Sequence, residues 1–283
     1  TDISAEDTTG SLHDRLAIMG GVMIVEALAE FERNKKLISI PQAEIGVTYA
    51  HKLLKEEARI DWALGAKKID LRQIQALLGS YKSDDANTEW DEAQFMSHLR
   101  LARQQLMLWI AFRDLNGLAE LDEVTHSLSH FAQLAVAQSI TFIRNDLQTR
   151  FGVPWSDSTN SEMPLMVVGM GKLGGFELNL SSDIDLIFLY EHEGDTRGGS
   201  KSLSNHEWFT RMGKRLIKLL SEHDENGFVF RVDMRLRPNG DSGPLVCSLD
   251  MLEEYLLVQG REWERYAWIK GRLIAPLPGS ENY

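Results

Sequence analysis

The chain has 283 residues, 43 % of them hydrophobic and 25 % charged, which is ordinary for a soluble globular protein and long enough for two domains. A net charge of −12 repels phosphate backbones and argues against broad nucleic-acid binding, while leaving room for a local basic pocket. No apolar run approaches the roughly 20 residues needed to cross a bilayer, so no membrane association is expected. The polar, acidic start TDISAEDTTGSLHD has no signal-peptide pattern. The single cysteine, Cys247, excludes an internal disulfide and fits a reducing, cytoplasmic location. Within PLVCSL it reads as a small buried hydrophobe rather than a nucleophile.

From residue 11 to about 150 the chain reads as helix after helix. LHDRLAIMGGVMIVEALAEF, PQAEIGVTYAHKLLKEEARIDWAL, DLRQIQALLGSY, EWDEAQFMSHLRLARQQLMLWIAFRDL and LDEVTHSLSHFAQLAVAQSITFIRNDLQTRFG all carry apolar residues at helical spacing. This predicts a helical bundle over residues 1–152. FGVPWSDSTNSEMP then brings prolines, serines and an asparagine together and predicts a linker at 153–164. From 165 onward short strand-like runs follow: LMVVGM, DIDLIFLY and GFVFRVDMRLR. Between the second and third lies the helical NHEWFTRMGKRLIKLLSE, with Ser204 and Glu207 spaced as a capping box. PNGDSGPLVCS reads as a turn leading into a short apolar piece, and LDMLEEYLLVQG and REWERYAWIKGRL as two closing helices. RLIAPLPGSENY then follows a helix-like segment without a clear stop, which predicts a fragment of a longer protein. The fold class is therefore α+β, a helical domain followed by a catalytic domain at 165–283 with a mixed sheet.

The stretch GMGKLGGFELNLSSDIDL carries two competing signals. Its G-x-G-x-x-G after an apolar run matches a dinucleotide-binding turn, which requires a crossover helix of a dozen residues or more before the next parallel strand. Only eight residues separate Gly174 from Asp183, so the helix has no room and the match fails in context. The second signal is Asp183 and Asp185, two apart on a strand and hence on one face. Two ionised carboxylates amid apolar neighbours repel, and a divalent cation removes that cost. In RVDMRLR, Arg231, Asp233, Arg235 and Arg237 alternate with Val232, Met234 and Leu236, putting a third acid and three arginines on one face of a strand. Three arginines suggest an anionic ligand, although any one could partner an acid. The GKLGG turn with Ser181 and Ser182 allows close approach to phosphate oxygens, to which Lys172 adds charge; a plain tight turn is equally compatible. A glycine turn, D-x-D on one strand and a third acid on its neighbour form the layout of a nucleotidyltransferase, in which three carboxylates hold two metal ions.

GMGKLGGFELNLSSDIDLIFLY followed by RVDMRLRPNGDSGPLV, with REWERYAWIKGR, resembles the bacterial glutamine-synthetase adenylyltransferase/adenylyl-removing enzymes over residues 165–272. That family has two similar nucleotidyltransferase domains in one long chain, the first removing AMP from a tyrosine of glutamine synthetase and the second adding it. Met170, Asn179, Met234 and the SGPLV at 242–246 match the first, adenylyl-removing half. The resemblance implies a polymerase-beta-like nucleotidyltransferase sheet with flanking helices, and phosphorolysis: orthophosphate attacks the adenylyl phosphorus and releases ADP and free tyrosine. It implies that Asp183, Asp185 and Asp233 bind two Mg²⁺ (or Mn²⁺), that Gly174, Gly175, Lys172 and Ser182 contact phosphoryl oxygens, and that Arg235 and Arg237 hold orthophosphate or orient the acids. It further implies adenylylated glutamine synthetase as protein substrate and a PII-type nitrogen-signalling protein as partner, in the cytoplasm. ATP-dependent adenylylation by the same fold and a regulatory binding module are the competing readings. His192, His206 and His223 are scattered and lack metal-ligand spacing. Trp263, Tyr266 and Trp268 sit at helical spacing and are expected in the core.

Overall fold

The computed structural model describes residues 9–35, 68–79 and 90–276, which fall into two compact units, 1–52 and 53–283. The first holds helix α1 (Thr9–Asn34), which exposes Ile18, Val22, Val25 and Leu28. The helix expected from PQAEIGVTYAHKLLKEEARIDWAL lies outside the described residues. No helix among the described residues is long and apolar enough to cross a membrane.

The second unit begins with α2 (Leu71–Leu78), α3 (Glu92–Leu115) and α4 (Leu121–Phe151). Asp70 and Asp91 start α2 and α3 through reciprocal capping boxes with Gln73 and Gln94, satisfying amides that a helix start leaves open. Apolar faces meet between them: Ile74 and Leu78 from α2, Phe95, Leu99 and Leu106 from α3, Phe131, Ala135 and Ile143 from α4, all buried. At the α3–α4 turn, Arg113 donates to Glu123 at 2.6 Å, and both side chains are 7 % exposed.

Where composition predicted a linker, the chain forms strands β1 (Gly152–Ser156) and β2 (Ser161–Glu162), paired antiparallel. The turn formers occupy the hairpin tip at 157–160, where Asn160 is left-handed. β1 also pairs with β5 (Thr196–Gly198) in a small three-stranded sheet. Gly152 is obligatory there, since its φ is +75° and a Cβ would lie 2.1 Å from the carbonyl oxygen of Arg197.

The main sheet contains β3 (Met166–Gly169), β4 (Ile184–Tyr190), β6 (Val232–Asp233), β7 (Val246–Ser248) and β8 (Arg272–Ala275). Its order is β6-β4-β3-β8, with β7 also on β4; β3 is antiparallel to β4 and β8, whereas β6 and β7 run parallel to β4. Between β3 and β4 lies only a single helical turn, α5 (Gly171–Gly174), in place of a crossover helix. The crossover from β4 to β6 is made by α6 (Asn205–Ser221), which buries Trp208, Phe209, Met212 and Leu216. Ser204 caps α6 through the Glu207 amide, but the expected reciprocal bond is replaced by a Glu207–Arg211 pair. α7 (Leu249–Val258) and α8 (Glu262–Ala267) follow.

Several expectations change. The third strand, read from GFVFRVDMRLR, has only two residues in the ladder; past it Asp233 captures the Arg235 amide and Arg237 donates its amide to the Met234 carbonyl to form a turn. RLIA is not a helical tail but β8, closing the sheet against β3. Trp263 and Tyr266 are 54 % and 74 % exposed rather than core, while Trp268 is partly buried. A boundary at 152 does not appear as a break in the core. One buried cluster runs from Ile74 through Phe131 to Leu186 and Phe230, and Trp208 of α6 donates to the Gly152 carbonyl at the end of α4.

Candidate active site

The sheet brings the three acids to one edge. Parallel pairing of β4 and β6 sets Asp185 abreast of Asp233, and Asp183 lies just ahead of β4, near enough for its charge to act on the Asp185 carboxyl. Their environments differ. Asp183 accepts from Arg231 Nε, and Arg231 Nη2 also reaches the Ser181 carbonyl at 2.7 Å. Asp233 is gripped by Arg235 through its amide (2.8 Å) and guanidinium. The Arg235 bonds hold the Asp233 carboxyl below the usual range despite its burial. Asp185 has no guanidinium bonded to it among the described residues. Burial, and then the charges of Asp233 and Asp183, push its carboxyl up.

This donor set suits a hard divalent cation: three carboxylates share one edge, and the central one is destabilised by its neighbours' charge. The side chains of Asp183 and Asp233 are nevertheless turned to their arginines, and no three acids, histidines or cysteines among the described residues close up as a ligating group.

The glycine turn lies directly over Asp185. The Met170 amide donates to the Asp185 carbonyl at 2.9 Å. Gly171 has φ +53°, and a Cβ there would sit 3.1 Å from Asp185 Oδ2. Gly174 is held for a structural reason: a Cβ would lie 1.7 Å from the Lys270 carbonyl oxygen. Gly175 meets only the Glu177 side chain, at 3.3 Å. The amides of Gly174 and Gly175 are bonded inside the turn to the carbonyls of Met170 and Gly171, so neither aims a free N–H at a ligand. Any phosphate contact there relies on the missing side chain. Ser182 Oγ donates to Asn179 Oδ1 at 2.7 Å and lies 3.4 Å from Lys172 Nζ, so these two sequence-selected residues meet. Asn179, noted in the sequence only for its match, fixes the loop that carries Ser182.

Of the two arginines offered for phosphate, Arg235 is committed to Asp233. Arg237 is nearly buried and donates to the Met234 carbonyl at 2.8 Å, closing the turn that ends β6. Sequence reasoning missed Arg272. Its guanidinium donates to the carbonyls of Leu173 (3.0 Å) and Gly174 (3.1 Å) and to Gln133 of α4 (2.9 Å), while stacking 3.7 Å from the Phe176 ring centroid. It clamps the glycine turn to β8 and α4. The GRL context gave no signal, because those residues read as a helix end. Cys247 is buried with its thiol pushed up to about 11 by desolvation, which removes it as a nucleophile.

Curated relatives share this sequence closely. The chain is 53 % identical over 231 residues to the bifunctional glutamine synthetase adenylyltransferase/adenylyl-removing enzyme of Ralstonia nicotianae, covering 80 % of this chain and 24 % of the relative. Proteins of the same name from Aromatoleum aromaticum and Nitrosomonas eutropha are 55 % identical over 190 residues (67 % of this chain, 20 % of the relative) and 43 % identical over 228 residues (80 % and 24 %). The chain thus spans a fifth to a quarter of the length of these relatives (20–24 %). A sequence profile of one family covers residues 61–281, from before α2 to beyond β8, and the chain belongs to that family, glutamate-ammonia ligase adenylyltransferase.

Proposed function

We propose that this site removes the adenylyl group from a tyrosine of glutamine synthetase by phosphorolysis, giving ADP and free tyrosine. The observation that carries the reading is the parallel register placing Asp185 beside Asp233, with Asp183 just ahead of β4, beneath the glycine turn. The relatives' names supply glutamine synthetase and both directions of the chemistry, addition and removal. Removal is favoured by Met170, Asn179, Met234 and residues 242–246, which follow the adenylyl-removing pattern.

Mg²⁺ or Mn²⁺, held by Asp183, Asp185 and Asp233, would supply positive charge to the phosphoryl oxygens as an anionic nucleophile approaches. Arg235 keeps Asp233 ionised. Asp185 takes up its charged form at the cost of crowding, so binding a cation relieves its position most. Lys172 and Ser182, already in contact, would meet a phosphoryl oxygen of the adenylyl group. A phosphate oxygen bonds to the adenylyl phosphorus and the phosphorus–tyrosyl oxygen bond breaks. The proton of hydrogenphosphate ends on the tyrosine oxygen, so charge and atoms balance without an outside acid.

Incubation with adenylylated glutamine synthetase and Mg²⁺, with and without orthophosphate, tests this. ADP formation that requires phosphate supports the reading. AMP transfer from ATP to unmodified synthetase without phosphate-dependent ADP would overturn it in favour of adenylylation.

A further inference from the structure

One face of α3 lies against the segment from Glu222 to Arg231 that leads into β6. Arg100, 1 % exposed, donates to Asp224 at 2.8 Å and to the Glu222 carbonyl. Gln104 donates to the Asn226 carbonyl at 2.9 Å. Arg103 lies between them in sequence and differs. Among the described residues it has neither a carboxylate nor a hydrogen-bond partner, and its Nε is buried without one. Its guanidinium lies 5.2 Å from the Phe228 ring centroid and 5.9 Å from that of Phe230. Arg231, the arginine that holds Asp183, lies 5.9 Å from the same Phe228 ring.

Two guanidinium groups therefore share one aromatic ring beside a candidate catalytic acid. Burial, followed by the charge of Arg231, pulls the Arg103 guanidinium below its ordinary range. Stacking over phenylalanines offsets part of that cost. The other arginines of α3, Arg100 and Arg113, both face acids. Arg231 uses Nε on Asp183 and Nη2 on the Ser181 carbonyl, leaving Nη1 without a protein partner among the described residues. The other cations of the site are engaged: Arg235 with Asp233, Arg237 with the Met234 carbonyl, Lys172 with Ser182.

We propose that Arg103 and Arg231 form an anion subsite that binds orthophosphate beside Asp183. Its assignment to the attacking phosphate rests on the phosphorolysis proposed above. The chemistry fits: a small tetrahedral dianion accepts several N–H bonds at once and cancels the repulsion between the two cations. It also makes α3, far from the acids in sequence, a contributor to the site.

The test is equilibrium dialysis of radiolabelled inorganic phosphate against the 283-residue chain with Mg²⁺, alongside ADP binding and thermal melting, for wild type, Arg103→Gln and Arg103→Lys. Arg103→Gln is expected to weaken phosphate binding about tenfold or more, in keeping with loss of a charge-assisted contact, with ADP affinity unchanged and a melting temperature equal to or above wild type. Arg103→Lys, which keeps the charge but not the fork, should fall between. A merely structural Arg103 would instead lower the melting temperature and reduce phosphate and ADP binding together, and that result overturns the subsite. So does phosphate binding in Arg103→Gln that matches wild type, or no saturable phosphate binding in wild type. Should Arg103→Gln fail to fold, wild-type affinity in Arg103→Lys overturns it and intermediate affinity supports it. Arg103-dependent phosphate binding without ADP release from adenylylated glutamine synthetase would keep the subsite and remove phosphorolysis. Phosphorolysis with an unchanged phosphate KM in Arg103→Gln would do the reverse.

Discussion

Gly174 and Gly175 are adjacent and look interchangeable in sequence, yet the structure requires opposite responses to alanine. At Gly174 an added Cβ would stand 1.7 Å from the Lys270 carbonyl oxygen and 2.7 Å from that of Gly169, both backbone atoms that cannot swing aside. Either α5 or the segment at 268–271 must retreat, and that movement strains the Arg272 bonds to the Leu173 and Gly174 carbonyls. Overpacking of this kind costs about 1–3 kcal/mol, and losing a hydrogen bond to a charged group about 1.5–3 kcal/mol more. At about 2–4 °C per kcal/mol for a unit of this size, Gly174→Ala should melt roughly 5–25 °C below wild type. At Gly175 the backbone is ordinary (φ −83°, ψ 2°), and the only close neighbour is the flexible Glu177 side chain. Gly175→Ala should therefore melt within about 2 °C of wild type, or slightly higher, since alanine restricts the unfolded chain. Differential scanning calorimetry on both variants decides it. A Gly174→Ala melting temperature equal to wild type would refute the packing argument. ADP titration of the stable Gly175→Ala variant then isolates any role in phosphate approach, with weaker binding expected.

Two further perturbations follow from the electrostatics. Because Asp185 has its carboxyl raised in the folded state, its protonated form is favoured there; that contribution is complete below about pH 3.9 and is lost as pH rises through the folded value. Asp185→Asn should therefore melt higher than wild type at pH 7 without metal, converge with it near pH 3, and no longer gain stability from added Mg²⁺; a lower melting point at pH 7 would contradict the assignment. Glu123→Gln removes the carboxylate that faces Arg113 in a nearly buried pair and accepts the Ile69 amide, so urea unfolding should show a loss of about 3–5 kcal/mol.

The legible part of the site was the part written in local periodicity. Period two put Asp183 and Asp185 together, and the structure keeps them close although β4 begins only at Ile184; the short spacing after Gly174 correctly excluded a crossover helix, since α5 is one turn. The place of Asp233 beside Asp185 was legible in the same way, although the strand around it was overread. Alternation in RVDMRLR continues past the point where Asp233 binds the Arg235 amide and ends the ladder. That competition between side chain and backbone leaves no trace in hydrophobic patterning. β8 escaped because four residues after a helical run carry no period of their own; only pairing with β3 makes RLIA a strand. The turn formers at 157–160 signalled a turn, but whether a turn joins two strands or two domains depends on what its flanks pair with.

Arg103 and Arg272 were illegible for a deeper reason, which bears on how the site is built. Each matters through a partner remote in sequence: Arg103 through Phe228 and Arg231, Arg272 through Leu173, Gly174 and Gln133. Neither contact belongs to the sheet alone. α4 reaches the glycine turn through Gln133 and Arg272, α3 reaches the Phe228 ring that Arg231 also faces through Arg103, and Arg215 of α6 binds Glu92 near the start of α3 and Asp146 near the end of α4. The core is continuous along these contacts, with Phe131 of α4 packed 5.9 Å from Phe230 just before β6. A sheet edge carrying three like charges, cut away from α3 and α4, would lose the clamp on its glycine turn and one cation near its acids. The helices therefore carry more than the fold: through Gln133 and Arg103 they add contacts beside the glycine turn and next to the arginine that holds Asp183.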